Sequence, residues 1–328
     1  MTSSETETHS AETNTHSAEP NSAEPNSAET RPVEPRPFTL AGASGMLAGD
    51  VWEPYGGADP VDEILMLHGG AQTRNSWNRA AQRLAMEGYR VTTMDARGHG
   101  DSDWAHDGDY DIHRMVDDLE LIVASRFVGR LPVLVGASLG GLTGLLALGT
   151  AKPVARALVL VDVTPKIESK GVQRIGEFMR SGLDGFADLG EAADAIAAYQ
   201  PDRQRPANLD GLRKNLRQKN DGRWYWHWDP RFVAGATGDN AEIGNDYFEG
   251  IVPHVTEPTM LIRGSRSDIV SDDSVAHLLE HLPHAYTYEV ADAGHMVAGD
   301  DNAVFLDQLE WFLAEVMGSP PRTGEGRE

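Results

Sequence analysis

Residues 132–141, PVLVGASLGG, run from branched apolar side chains into a cluster of small ones with one serine at its centre. Gly136-Ala137-Ser138-Leu139-Gly140 has the G-x-S-x-G spacing of a nucleophile carried on a sharp strand-to-helix turn. Such a turn forces the serine into a strained backbone conformation, and the neighbours two residues away must be small to avoid collision. It also sets the hydroxyl at a helix N-terminus, whose unsatisfied N–H groups favour developing negative charge. A serine hydroxyl is a poor nucleophile unless a base takes its proton, and the base needs an acid to hold its tautomer. His295, in ADAGHMV, follows the last predicted strand and is the expected base. Asp268, in LIRGSRSDIVS, lies just beyond a strand ending at Gly264 and is the expected acid, in the chain order Ser, Asp, His. Asp162, at the end of ALVLVD, is its rival, although it more simply caps the turn into VTP. Acyl transfer also needs oxyanion donors: the backbone N–H of Leu139, and that of Gly70 in HGGA.

Other polar residues have simpler readings. His68 and His99 sit in glycine turns and are expected to make structural hydrogen bonds; Asp95 is read as a turn former, and Asp292 is too close in sequence to His295 to orient it. DSDWAHDGDYD (101–111) is acidic, but its spacing does not fit an EF-hand loop. His227 has no partner at metal-binding spacing, and with no cysteine there is no disulfide, thiolate nucleophile or Cys-ligated zinc. No cofactor and no metal are expected.

The catalytic residues require a scaffold that ends several strands on one side. EILMLHGG (63–70), YRVTTMDA (89–96), LPVLVGA (131–137), ARALVLVD (155–162), PTMLIRG (258–264) and AYTYEVA (285–291) read as strands. Helical patterns follow them at 76–88, 112–127, 139–149, 274–282 and 303–317. Apolar strands alternating with helices imply a parallel sheet covered on both faces, an α/β layout. After Asp162 the alternation lapses; EFMRSG, LGEAADAIAAY and LDGLRKNLRQKN read as amphipathic helices of an insertion over the carboxyl ends of the strands.

The full chain has 328 residues, 40% hydrophobic, with a formal net charge of −23. It can bury a sizeable core, and the charge opposes nucleic-acid and anionic membrane partners. No apolar run is long enough for a membrane span, and the N-terminus lacks a signal-peptide pattern, so a cytoplasmic location is expected. Residues 1–37 carry the loose repeat HSAET, HSAEP, NSAEP, NSAET and read as a disordered tail.

In the order HGG, DARGHGDSD, GASLGG, RGSRSD and AGHM, the chain resembles the α/β-hydrolase superfamily over residues 38–317. The resemblance implies core segments 38–164 and 250–318, a helical cap at 165–249 and a flexible C-terminal tail at 319–328. It also implies a serine hydrolase acting without a cofactor on a small-molecule substrate. Epoxide hydrolases and haloalkane dehalogenases of this superfamily carry Asp where this chain has Ser138, a departure that weighs against both activities. The expected reaction is cleavage of a carboxylic ester or related acyl compound, with activity rising with pH as His295 loses its proton. Alternatives are C–C bond hydrolysis of ring-cleavage products, a cofactor-free haloperoxidase or perhydrolase, and a small-molecule sensor on the same fold. Oligomeric state is not determined by the sequence.

Residues 165–235 hold 12 Lys and Arg against 10 Asp and Glu, a basic insert in an acidic chain. Arg213, Lys214, Arg217 and Lys219 read mainly as a solvated helix face, with the hypothesis that a cap arginine contacts an acidic substrate. The aromatic run GRWYWHWDPRF (222–232) reads as packing between cap and core, with an apolar pocket as the other possibility.

Overall fold

The computed structural model describes residues 32–150, 152–200, 205, 208–235, 247–248, 250–295 and 302–320. The predicted apolar strands form the centre of an eight-stranded sheet in the order β1-β2-β4-β3-β5-β6-β9-β10. Its members are β1 (Arg36–Ala41), β2 (Met46–Trp52), β3 (Glu63–Leu67), β4 (Arg90–Met94), β5 (Val133–Ala137), β6 (Ala157–Val161), β9 (Thr259–Gly264) and β10 (Tyr286–Val290). From β4 to β10 every pairing is parallel, while β1 and β2 pair antiparallel at one edge.

Side chains alternate between two packed faces. Leu65, Leu134, Leu158, Leu160 and Leu261 face α2 (Ile112–Arg126), α3 (Leu139–Leu148) and α7 (Asp272–His281). Ile64, Met66, Val133, Val135 and Val159 face α1 (Asn78–Met86) and α8 (Asn302–Trp311). Consecutive residues buried on opposite faces explain why these strands read as continuous apolar runs. The edge pair β1–β2 lacked that signal and was not anticipated. Its first strand starts at Arg36, inside the segment read as tail; residues 1–31 of that segment lie outside the described residues. At the other end Ser319 is buried rather than flexible: its hydroxyl donates to Asp62 Oδ2 (2.6 Å) and its carbonyl accepts from Tyr89 Oη (2.5 Å). The rest of that expected tail, 321–328, is not described.

Between β6 and β9 lies the insertion: α4 (Ser169–Ser181), α5 (Leu189–Tyr199), a hairpin of β7 (Leu216–Gln218) and β8 (Trp224–Trp226), and α6 (Arg231–Gly235). LDGLRKNLRQKN is not the helix its amphipathic pattern suggests: a 3-10 turn over Asp210–Lys214 leads directly into β7. The hairpin wins because Asp221 and Gly222 close its turn, Gly222 at φ 82°, and because Trp226 of β8 buries against Phe178 and Phe186. Backbone bonds stitch this insert to the core: Gly100 N–H donates to His227 O and Asp229 N–H to Gly98 O, both at 2.7 Å.

Candidate active site

Ser138 stands at the junction of β5 and α3 with φ 45° and ψ −112°, a conformation in which an L-residue is strained. The two glycines of the motif are required by the backbone around it. A Cβ on Gly136 would lie 2.4 Å from Gly141 N, and one on Gly140 would lie 2.6 Å from Leu67 O. Both clashes are with main chain, so neither is relieved by a side-chain rotation. Leu139 is the first helical residue after the serine, so its N–H has no intrahelical partner; Leu142 N–H is the donor that takes Ser138 O (3.0 Å).

The loop carrying Gly70 is held by two buried, neutral histidines. His68 donates from Nδ1 to Gly69 O (2.7 Å) and accepts at Nε2 from Ala96 N–H (3.0 Å). His99 donates from Nδ1 to Arg97 O (3.0 Å) and accepts at Nε2 from Ala71 N–H (3.4 Å). Burial lowers both pKa values, to about 4 for His68 and about 3 for His99, where His68 adds to the effect. Gly69 N–H is taken by Gln72 Oε1 (3.3 Å), and a Cβ on Gly69 would come within 3.3 Å of Ser138 Cβ. Gly70 therefore lies between two tethered amides, in a loop pressed against the serine. Asp95 is a turn former in the fullest sense: its carboxylate accepts from the N–H groups of Arg74 (2.7 Å) and Asp101 (2.9 Å) and pairs with the Arg74 guanidinium.

The acid beside the imidazole is Asp162, and the expectation of Asp268 is corrected by the geometry. His295 Nδ1 lies 2.7 Å from Asp162 Oδ2. Asp162 is fully buried and saturated, with Oδ1 accepting from Gly264 N–H (2.9 Å) and Oδ2 also accepting from Ser267 Oγ (2.6 Å). Because the carboxylate can only accept, His295 Nδ1 carries the proton and Nε2 is left as the basic nitrogen. Asp268 is instead turned to the insert, where its Oδ2 accepts from Arg174 Nη1 on α4 (2.8 Å).

The physical reason lies at Gly264, the last residue of β9. A Cβ there would sit 2.4 Å from Ala293 O and 2.5 Å from Gly294 O, so the loop bearing His295 crosses directly over the strand end. Arg266 N–H donates to Ala293 O (2.9 Å) and ties that crossing down. The loop thus passes β9 and delivers the imidazole to the end of β6, where Asp162, at φ 49°, points its carboxylate up from the strand. Ser267 was missed altogether, although it stands in the same RGSRSD segment that drew attention to Asp268.

Ser138, Leu139, Gly70 and His295 line one cavity of about 650 Å³ between core and insert. Its wall is largely apolar and includes Leu142, Val163, Phe178, Met179, Trp226 and Phe232. The aromatic run therefore serves both purposes weighed for it: Trp226 and Phe232 face the cavity while Trp228 is buried packing. Of the four cations expected on a helix face, Arg213 stacks over Trp224, Lys219 lies over Tyr225, and Arg217 pairs with Asp101. Among the described residues no group of three His, Asp or Glu side chains could hold a metal ion, and no helix is long and apolar enough to cross a membrane.

Comparison with known proteins agrees with this architecture. A family described as having the alpha/beta hydrolase fold matches residues 63–301. The chain is 29% identical over 270 residues to the esterase Rv0045c of Mycobacterium tuberculosis, covering 79% of this chain and 84% of that protein. It is 28% identical over 267 residues to the 3-hydroxybutyrate-oligomer hydrolase of Cupriavidus necator, covering 77% and 90%. A solved structure of the M. tuberculosis esterase superposes with a TM-score of 0.68 at 27% identity, covering 88% of this chain and 93% of that one. The crystal structure of E-2-(acetamidomethylene)succinate hydrolase gives a TM-score of 0.73 at 20% identity, covering 85% and 99%.

Proposed function

The chain belongs to the alpha/beta hydrolase family, and from that premise we propose that it is a serine hydrolase cleaving a carboxylic ester through an acyl-enzyme on Ser138. The observation that carries the reading is a strained serine sharing a cavity with an imidazole whose far nitrogen is bonded to a buried carboxylate. The esterase and hydrolase names of the relatives at 28–29% identity support the same class.

In this reading the Ser138 hydroxyl attacks the ester carbonyl while His295 Nε2 takes its proton. Asp162 holds the imidazole in the required tautomer and stabilises the imidazolium that forms. The negative charge that develops on the carbonyl oxygen is met by the N–H groups of Leu139 and Gly70, each donor being worth about 2.7 to 4 kcal/mol in the transition state. His295 returns its proton to the departing alkoxide, and a water activated by the same nitrogen then cleaves the acyl-serine. No metal or cofactor enters the scheme, and the substrate is a small molecule held in the apolar cavity. Neutral histidines at 68 and 99 suit this role, since a cation at either would disturb the loop that presents Gly70.

The test is active-site labelling with turnover. A fluorophosphonate should modify wild-type protein at Ser138 stoichiometrically, and para-nitrophenyl butyrate should be hydrolysed with an initial burst. Ser138→Ala should abolish both while its circular dichroism stays that of the wild type. Turnover retained by Ser138→Ala would overturn the assignment, and labelling without turnover on any ester would favour a binding protein instead.

A further inference from the structure

The chain carries 51 acidic residues and a net charge of −23, yet among the described residues that line the cavity there is no Asp or Glu, whereas Arg180 and Arg205 are there. Such a wall inverts the sign of the rest of the molecule. The two arginines differ in what they already do. Arg205 is committed within the insert, donating from Nε to Asp194 Oδ1 (2.7 Å) and from Nη2 to Gly190 O (3.2 Å). Arg174, one turn and a half earlier on α4, is likewise taken by Asp268 and the Tyr199 carbonyl. Among the described residues no hydrogen bond or ion pair engages the Arg180 guanidinium.

Arg180 stands in the last turn of α4, and its side chain lies back one turn along the helix over Gly176, which also lines the cavity. A Cβ on Gly176 would sit 3.2 Å from Nη1 and 3.4 Å from Nη2, so the missing side chain gives the guanidinium its seat against the cavity wall. The other described polar side chains of the wall contributed by the insert, apart from Arg205, are Gln173, Tyr199, Gln200 and Asn215, none of them a carboxylate. An unengaged guanidinium is a five-donor fork suited to a carboxylate. Long-range repulsion from the acidic surface would otherwise weigh against an anionic ligand.

From these observations we infer that Arg180 selects substrates bearing a carboxylate, so that the ester cleaved is a half-ester or carboxy-substituted ester rather than a neutral one. The inference rests on the serine hydrolase reading above and names its substrate class. Arg180 is at the exposed rim, so the bond it makes is intermediate between a screened surface pair and a buried charge-assisted one. The preference it confers is then about five- to tenfold in kcat/KM, carried mainly by KM.

The experiment compares two matched pairs of esters, with non-enzymatic hydrolysis subtracted. Mono-para-nitrophenyl adipate is set against its terminal carboxamide, and para-butyryloxybenzoate against its carboxamide, placing the charge on the acyl and the alcohol side in turn. In wild-type protein one pair should favour the anion, and the preference should shrink as NaCl rises. Arg180→Gln should lower that anion-to-neutral ratio about five- to tenfold, and Arg180→Lys should retain much of it. A ratio near one in the wild type for both pairs, or one unaltered in Arg180→Gln, overturns the inference. Equal losses on anionic and neutral esters would also overturn it, by showing a role in holding the cavity. If the carboxamides are turned over but charge is not discriminated, only this inference fails. If neither ester is turned over and Ser138 resists the fluorophosphonate, the hydrolase reading itself falls.

Discussion

Replacing Asp162 by Asn separates the two aspartates that compete for the imidazole. The carboxylate is fully buried and accepts three hydrogen bonds, from Gly264 N–H at 2.9 Å, Ser267 Oγ at 2.6 Å and His295 Nδ1 at 2.7 Å. An amide in its place has one acceptor and one donor end. The Gly264 N–H is main chain and cannot turn away, so the amide oxygen must stay with it and the NH2 must face Ser267 and His295. Ser267 can rotate its hydroxyl, but the imidazole can accept from the amide only by moving its proton to Nε2, which ends its service as a base. In the Ser-His-Asp template the same amidation costs about 10⁴ in kcat, or roughly 5 kcal/mol at 1.36 kcal/mol per decade. Asp268→Asn instead removes a pair with Arg174 whose side chains are 33% and 45% exposed, worth at most about 1 kcal/mol. Its kcat should stay within about fivefold of wild type. Steady-state kinetics on para-nitrophenyl butyrate, with fluorophosphonate labelling rates as an independent reading of nucleophilicity, distinguish the two. A thousandfold loss in Asp268→Asn beside a minor loss in Asp162→Asn would refute the argument from Gly264 and the crossing loop.

Two further outcomes follow from the same geometry. Ser138→Gly should be more stable than Ser138→Ala by about 1 kcal/mol while equally inactive, because glycine relieves backbone strain of roughly 1–3 kcal/mol at φ 45° and its own flexibility offsets part of that; equal melting temperatures would show that the elbow holds no strain. Acid should destabilise the fold early, because His68 and His99 have folded pKa values of about 4 and about 3. Below an unfolded pKa of about 6.5 the unfolded chain binds protons that the folded chain does not, so stability is full above that pH and falls as pH drops toward the folded values. Two such groups give a slope near 3 kcal/mol per pH unit around pH 5. Urea midpoints at pH 7, 6 and 5 measure it, and His99→Gln should reduce the slope by about half; no loss between pH 7 and 5 would contradict the buried neutral imidazoles.

What the sequence determined by itself is what depends on neighbours along the chain. The elbow was legible because the collisions that demand Gly136 and Gly140 occur within a few residues of Ser138 or against the adjoining strand. The central parallel strands β3, β5, β6 and β9 were legible because burial on both faces leaves an apolar run, and their helices because amphipathic spacing is local. β1 and the insert hairpin escaped because half-exposed strands carry no continuous apolar run, β2 because Gly49 and Asp50 interrupt its buried stretch, and LRKNLRQKN satisfies helical spacing while pairing as a strand. Tertiary structure alone decided which aspartate meets His295. Asp162 and Asp268 both follow strand ends, and nothing in their local sequences tells how far a loop from β10 will reach. Strand order placed β9 between β10 and β6, and the bare backbone of Gly264 let the 293–294 segment pass over it to Asp162. Likewise only the folded insert showed that, of the two described arginines on the cavity wall, Arg205 is paired and Arg180 is not, because a guanidinium's availability depends on every acid brought near it.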